Sequence, residues 1–219
     1  MDLFDGVLEK TKNLLSGVIP ETGKMFSHYL GRDNEEYDYP VSRLRSTKTV
    51  QESEKKNHDR LLNLLNEPYS LVKSKPLFST VKTAPYAERY SLSDMHDGDE
   101  FYVEDYFDSD IEKGSVLRKK DFDLWSSLGS FKLRSNGGLR FKKIRDKILP
   151  YGKVKHNIDD IYDFHRGSSP DGTFGKMLEE KYSAEPYRVK ARWSTVPLGV
   201  IKNRNGKADF SEVEWNILE

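Results

Sequence analysis

Residues 3 to 19 constrain this chain more than any other stretch. Leu3, Phe4, Val7, Leu8, Thr11, Leu14, Leu15, Val18 and Ile19 recur at three- and four-residue steps, with Asp5, Glu9, Lys10, Lys12 and Asn13 between them. That spacing predicts an amphipathic helix. Asp2 is placed to cap its start, acids precede lysines in the sense the helix dipole favours, and Gly17 with Pro20 ends it near residue 19. A stripe of roughly five turns at a chain end needs cover, because an isolated helix of that length is marginal in water. The cover can be a membrane surface, a groove on another protein or the chain's own core. Leu3, Phe4, Val7, Leu8, Leu14, Leu15, Val18 and Ile19 are therefore the candidate membrane- or partner-binding residues. The polar face lacks the basic excess that draws helices to anionic lipid, so apolar insertion rather than charge would drive membrane binding. Met25, Phe26, Tyr29 and Leu30 can extend the same face as far as Gly31, which makes residues 1–31 one amphipathic helical segment.

Whether the chain can cover that stripe itself depends on how much apolar surface it can bury. Its 219 residues are 36% hydrophobic and 33% charged, with a mean hydropathy of −0.77, and a globular domain usually holds about 45–50% apolar residues. Acidic and basic side chains balance at 36 each, so thin burial rather than self-repulsion would keep the chain open. The expectation is a mostly disordered or irregular chain with short α-helices and a small C-terminal α+β element. The absence of Cys excludes a disulfide framework, thiol catalysis and thiolate metal sites, and it suits a reducing compartment. No apolar run reaches the roughly 18 to 20 residues of a membrane span, and the N-terminus lacks the pattern of a signal peptide. An intracellular protein of cytoplasm or nucleus is expected, not secreted, without a transmembrane span and with peripheral membrane attachment open.

Arg32 to Asp59 is polar and reads as a linker or a solvated helix, and Leu61, Leu62, Leu64 and Leu65 form a short apolar knot before Pro68, Pro76 and Pro85 interrupt regular structure. Residues 32–93 thus read as a flexible linker with a short leucine-rich helix. Leu61, Leu64 and Leu65 fit an LxxLL pattern that docks as a helical turn into an apolar groove, and Tyr69 to Val72 fits a Tyr-x-x-apolar sorting pattern. Residues 94–112 hold nine acids and no Lys or Arg, interleaved with Phe101, Tyr102, Tyr106 and Phe107. Such acidic aromatic segments bind basic, apolar grooves, the rings anchoring and the acids steering. The partner can be external or the basic block that follows. Ser109 and Ser169 lie in acid-directed and proline-directed phosphorylation contexts.

Residues 113–219 read as a basic, partly ordered region with short helices and hairpins. Over 113–155 there are thirteen Lys or Arg against three acids. Arg140, Lys142, Lys143, Arg145 and Lys147, beside Phe141, offer charge and a stacking ring to an anion or nucleic acid. Phe131, Leu133, Leu139 and Phe141 alternate around Asn136-Gly137, the sign of a hairpin, while Phe141, Ile144, Ile148 and Leu149 equally suit a short basic helix stopped by Pro150. Short helices are expected from Asn157 through Ile158, Ile161, Tyr162 and Phe164, and from Thr173 through Leu178. Tyr187 to Trp193 and Val213 to Ile217 alternate on either side of Asn205-Gly206, as a terminal antiparallel pair would.

Signs of catalysis are absent. Gly175 and Lys176 lack the glycine spacing of a phosphate loop, and no Ser sits in a nucleophile elbow. His156, Asp159, Asp160 and Asp163 could share a helical face as metal ligands, a pattern that a solvated helix also produces. The expectation is a non-enzymatic adaptor or anchoring protein with no cofactor, no metal and no small-molecule substrate. It would dock through the N-terminal helix on a membrane surface or protein partner and bind other proteins through its charged segments. The alternatives are a nucleic-acid-associated protein using the basic block 140–155 and a subunit that folds only within a larger assembly.

Overall fold

A computed structural model describes residues 3–31, 35–73, 88–110, 121–128, 131–162, 177–181 and 184–218. The helices are α1 (Leu3–Val18), α2 (Pro20–Leu30), α3 (Val41–Arg45), α4 (Lys48–Asn63) and α5 (Phe122–Leu128), with a further helical turn at 177–181. The strands are β1 (Tyr37–Asp38), β2 (Leu71–Lys73), β3 (Arg89–Tyr90), β4 (Glu100–Asp110), β5 (Lys132–Ile144), β6 (Lys147–Tyr162), β7 (Tyr187–Gly199), β8 (Ile201–Arg204), β9 (Lys207–Asp209) and β10 (Val213–Leu218). They form one mixed sheet in the order β1-β7-β6-β5-β4-β2-β3, with β10 on β7, β8 on β6 and β9 on β8.

The expectation of a mostly disordered chain is overturned by this ten-stranded sheet. Its strands bury alternate residues: Leu133, Ser135, Gly137, Leu139 and Phe141 on β5, then Ile148, Pro150, Val154, His156 and Ile158 on β6. A sheet covered on one face needs apolar side chains at every second position only, so a 36% hydrophobic chain can supply a core.

The fold divides into two compact units. The first takes residues 1–53, 110–133 and 157–191. Pro20, with its φ already near helical values and no N–H to lose, opens α2 directly after α1. Met25, Phe26 and Tyr29 of α2 are buried with Tyr162, Tyr187 and Val189. Tyr187 donates its hydroxyl to the Met25 carbonyl at 2.8 Å, and Tyr29 donates to Glu179 at 3.1 Å. Asp121 caps α5 through the Leu124 N–H and takes both guanidinium nitrogens of Arg43, while Asp123 accepts from the Thr22 N–H and hydroxyl. Burial pushes the phenols of Tyr39, Tyr162 and Tyr187 above their ordinary range.

The second unit takes residues 54–109, 134–156 and 192–219. The later turns of α4 bring Leu61, Leu62 and, from the 3-10 turn Leu64–Asn66, Leu65 onto Leu71, Leu92, Met95, Phe101, Val103, Leu139, Phe141, Ile148, Val154 and Ile201. The β8–β9 hairpin turns at Asn205-Gly206, both at positive φ, as an Asn-Gly two-residue turn requires. β10 pairs antiparallel with β7, Trp215 opposite Pro197.

Several local expectations are corrected. Of the two readings of the polar stretch, linker or solvated helix, the structure has the helix over α3 and α4, and α4 is polar because one face is solvated while Leu61 and Leu62 are buried. From Glu100 to Asp110 the acidic aromatic segment is a strand, β4, whose Phe101 and Val103 point into the core. Asn136-Gly137 lies inside β5, and the β5–β6 hairpin turns at Arg145-Asp146 instead, with Arg145 at φ 57°. No helix forms over 139–149 or 157–162, because both stretches are paired strands. Asp163 to Lys176 fall outside the described residues, as do the side chains of Leu3, Phe4 and Val7.

Candidate functional site

Strand alternation turns the basic block into a surface. Where β5 and β6 bury their inner residues in the second unit, the outward positions are Arg134, Asn136, Gly138, Arg140, Lys142 and Ile144 on one strand and Lys147, Leu149, Tyr151, Lys153 and Lys155 on the other. Six of these eleven are cations and none is an acid. Lys142, Lys147, Lys153 and Lys155 are exposed, and among them stand Ile144 at 42% exposure and Leu149 at 36%. Neighbouring acids are partly engaged. Glu100 of β4 takes the Arg140 guanidinium at 3.1 Å, and Asp97 accepts the Arg145 backbone N–H at 2.6 Å. Asp146 is exposed in the turn itself. Burial, reinforced by the hydrogen bond and charge of Glu100, pushes the Tyr151 phenol up to about 12.

Of the five anion-binding candidates, the structure leaves Lys142, Arg145 and Lys147 open and engages the other two. Arg140 is paired with Glu100, and the Lys143 ammonium donates to the Met95 carbonyl. Lys153 and Lys155 fall within the basic block 140–155 and Leu149 within the helix reading, but neither they nor Tyr151 are among the five anion-binding candidates; the period-two alternation of Lys153, Lys155 and Asn157 with Val154, His156 and Ile158 is the signal that places them on one face.

Beneath this face lies a polar cluster fully enclosed in the second unit. His58 and Asn57 come from α4, Ser135 from β5, His156 from β6 and Thr195 from β7, each no more than 3% exposed. The two imidazole Nε2 atoms are 3.1 Å apart, and Thr195 Oγ1 lies 2.8 Å from that of His58 and 2.9 Å from that of His156. His156 Nδ1 is 2.8 Å from Ser135 Oγ, which accepts from Asn57 Nδ2 at 2.7 Å. Trp215 stacks on His58 with centroids 3.7 Å apart, Trp193 lies against His156 at 5.4 Å, and the Trp193 indole N–H donates to buried Glu54. These spacings are those of hydrogen bonds. Among the described residues no group of three or more His, Cys, Asp or Glu is placed to share a metal. His156 points inward from a strand while Asp159 pairs with Arg188, which corrects the reading of a shared ligand face on a helix.

The other candidates separate by burial. Leu61, Leu65 and Phe101 are buried in the core and Leu64 packs against it, so in the folded chain these four serve packing rather than docking. Leu61 and Leu65 are held there because the LxxLL spacing is also the spacing of a helix face on its own core. Tyr102 is half-buried and Tyr106 exposed on β4, to which Phe107 also belongs. On α1, Leu8, Leu15 and Ile19 just beyond it are half-buried, whereas Leu14 at 65% and Val18 at 71% face outward. No described helix is long and apolar enough to cross a membrane.

No family model and no curated protein matches the chain. Among solved structures, PaeM, a colicin M-like bacteriocin produced by Pseudomonas aeruginosa, is similar with a TM-score of 0.39 and 17% identity over 91% of this chain and 52% of that one. The chain thus spans about half the length of that protein, and a likeness at this level transfers neither fold nor activity.

Proposed function

We propose that this chain is a peripheral docking protein that attaches to an anionic lipid surface through the outward face of β5 and β6. The observation that carries the reading is the row Lys142, Lys147, Lys153 and Lys155 with Ile144 and Leu149 among the cations. Basic side chains are attracted to anionic headgroups, and aliphatic side chains between them enter the interface. A nucleic-acid face would instead want free stacking rings. Here Tyr151 is tied to Glu100 and Arg140, and Gly138 sits under the Tyr102 ring. Leu14 and Val18 of α1 give a second, apolar attachment.

The test is sedimentation of the full chain with vesicles of phosphatidylserine in phosphatidylcholine against phosphatidylcholine alone. Binding to the anionic vesicles that falls with salt is expected. Each lysine near such a surface contributes about 1 kcal/mol, so Lys142→Gln, Lys147→Gln and Lys153→Gln together should weaken binding by about 10²-fold. Leu14→Glu with Val18→Glu should weaken it further without altering its salt dependence. Failure to bind anionic vesicles, with salt-dependent capture of single-stranded RNA instead, would replace this reading with the nucleic-acid one.

A further inference from the structure

We infer that the outer edge of β10 is a pairing site for a second copy of this chain, β10 meeting its counterpart antiparallel across a twofold axis. The inference starts from register. Trp215 lies opposite Pro197 on β7, and a proline has no N–H to exchange in a hydrogen-bonded pair. Val213, two residues earlier and of the same parity, turns its N–H back to the Phe210 carbonyl at 3.0 Å. Both observations place Glu214, Asn216 and Leu218 in the hydrogen-bonded pairs with β7 and point the backbone groups of Val213, Trp215 and Ile217 away from it. The N–H groups of Trp215 and Ile217, and the carbonyls of all three residues, have no partner among the described residues.

An open edge of this kind accepts another strand. Edges that resist pairing carry lysine, proline or a bulge, and Val213–Leu218 has none of these. Val213, Trp215 and Ile217 are half-buried on the core side, while Glu214, Asn216 and Leu218 are exposed on the other. A second copy brings a strand of the same alternation, so its apolar row continues that of the first.

The lone charge, Glu214, selects how the two strands align. With Trp215 opposite its own counterpart, the two tryptophans exchange a pair of backbone hydrogen bonds, and Ile217 of each copy donates to the Val213 carbonyl of the other. Each Glu214 then stands across from the other copy's Asn216, an acceptor against an amide donor. A two-residue slip sets Glu214 against Glu214 or against Leu218, so the first alignment is the complementary one. The contact is isologous, as a twofold requires. Pairing over six residues covers less surface than a permanent dimer needs, so association should follow concentration. β7 and β6 separate this edge from β5 in the sheet, and the pairing stands independently of the lipid-binding reading.

The test is sedimentation equilibrium of the full chain without lipid, from about 1 µM to 1 mM. A monomer–dimer equilibrium is expected. Asn216→Glu sets carboxylates against each other at two symmetric places and should weaken the dimer by about tenfold. Asn216→Lys meets Glu214 instead and should tighten it by about threefold, a gain that added salt removes. Position 216 is exposed and lies opposite Val196 on β7, so both variants should keep the urea midpoint of the unmodified chain at low protein concentration. That measurement separates a lost dimer from a lost fold. A chain that stays monomeric over the whole range would overturn the proposal and leave the edge to a strand of another protein. So would a dimer on which Asn216→Glu and Asn216→Lys act alike.

Discussion

The two faces of the β5–β6 hairpin come from the same two strands and have opposite characters. Inward lie Leu139, Phe141, Ile148 and Val154, fully or nearly fully buried, with Ser135 and His156 among them. Outward lie Arg140, Lys142, Lys147, Lys153 and Lys155. One residue of register separates the sets, and in a pleated strand that single step exchanges core for solvent. The inner set is constrained by shape and hydrogen-bond partners, the outer lysines by charge and Arg140 by its pair with Glu100. Stability and surface binding should therefore be separable by substitution.

The largest effect is expected at Phe141. It is fully buried among the core residues of the second unit, so Phe141→Ala should lower unfolding free energy by about 3–5 kcal/mol in urea titrations. Lys153→Ala, at an exposed position on the opposite face, should stay within about 0.5 kcal/mol while weakening binding to anionic vesicles. Equal destabilisation by the two would break the division between faces.

Adjacent glycines sharpen the comparison. A Cβ on Gly137 would stand 2.8 Å from Val154 Cγ2 and 2.9 Å from Leu61 Cδ2, both inside the core. Gly137→Ala should cost about 1–3 kcal/mol as an overpacking change. On the outward side, a Cβ on Gly138 would meet the Tyr102 hydroxyl at 2.5 Å, but that ring is half-buried rather than part of the core. Gly138→Ala should cost less than Gly137→Ala, with the loss visible as a changed Tyr102 environment. Chemical denaturation of the two variants side by side decides the order.

The same pair of glycines explains where sequence reasoning failed. Asn136-Gly137 has the composition of a tight turn, yet Gly137 is there because Leu61 and Val154 leave no room for a side chain. The actual turn, Arg145-Asp146, has no glycine and depends on Asp97, 48 residues away in sequence, to take the Arg145 N–H. At the end of β6, Ile158 and Tyr162 are four apart, which satisfies both a helix face and the even parity of a strand, so periodicity could not choose between them. Where period two was unambiguous the strands were legible, as in β7 and β10, but β10 pairs with Ser194 to Gly199 rather than with Tyr187 to Trp193, and Asn205-Gly206 turns a separate β8–β9 hairpin between them. The basic face was half legible, since its residues were visible but their alternation was obscured by the helix reading. The histidine cluster was not legible at all. His58 and His156 are 98 residues apart, and each looks locally like an isolated polar residue.

The smallest expected effect tests how far the outer face is electrostatically organised rather than merely exposed. Tyr151 stands on it with 38% of its surface accessible, yet its phenol is pushed up to about 12, first by burial, then by the hydrogen bond and charge of Glu100, against a lowering by Arg140. In the unfolded chain the phenol ionises near pH 10, so between about pH 10 and 12 the unfolded state sheds a proton that the folded state keeps. The contribution of Tyr151 to stability is thus present below pH 10 and is lost as pH rises through that window. Glu100→Gln removes the carboxylate but leaves the burial, so it should move the Tyr151 transition part of the way back toward 10. The transition is read as the difference in ultraviolet titration between each protein and its Tyr151→Phe counterpart. An unmoved transition would mean that burial alone sets the phenol, and that the Glu100–Arg140 pair leaves the charge pattern of this face to its lysines.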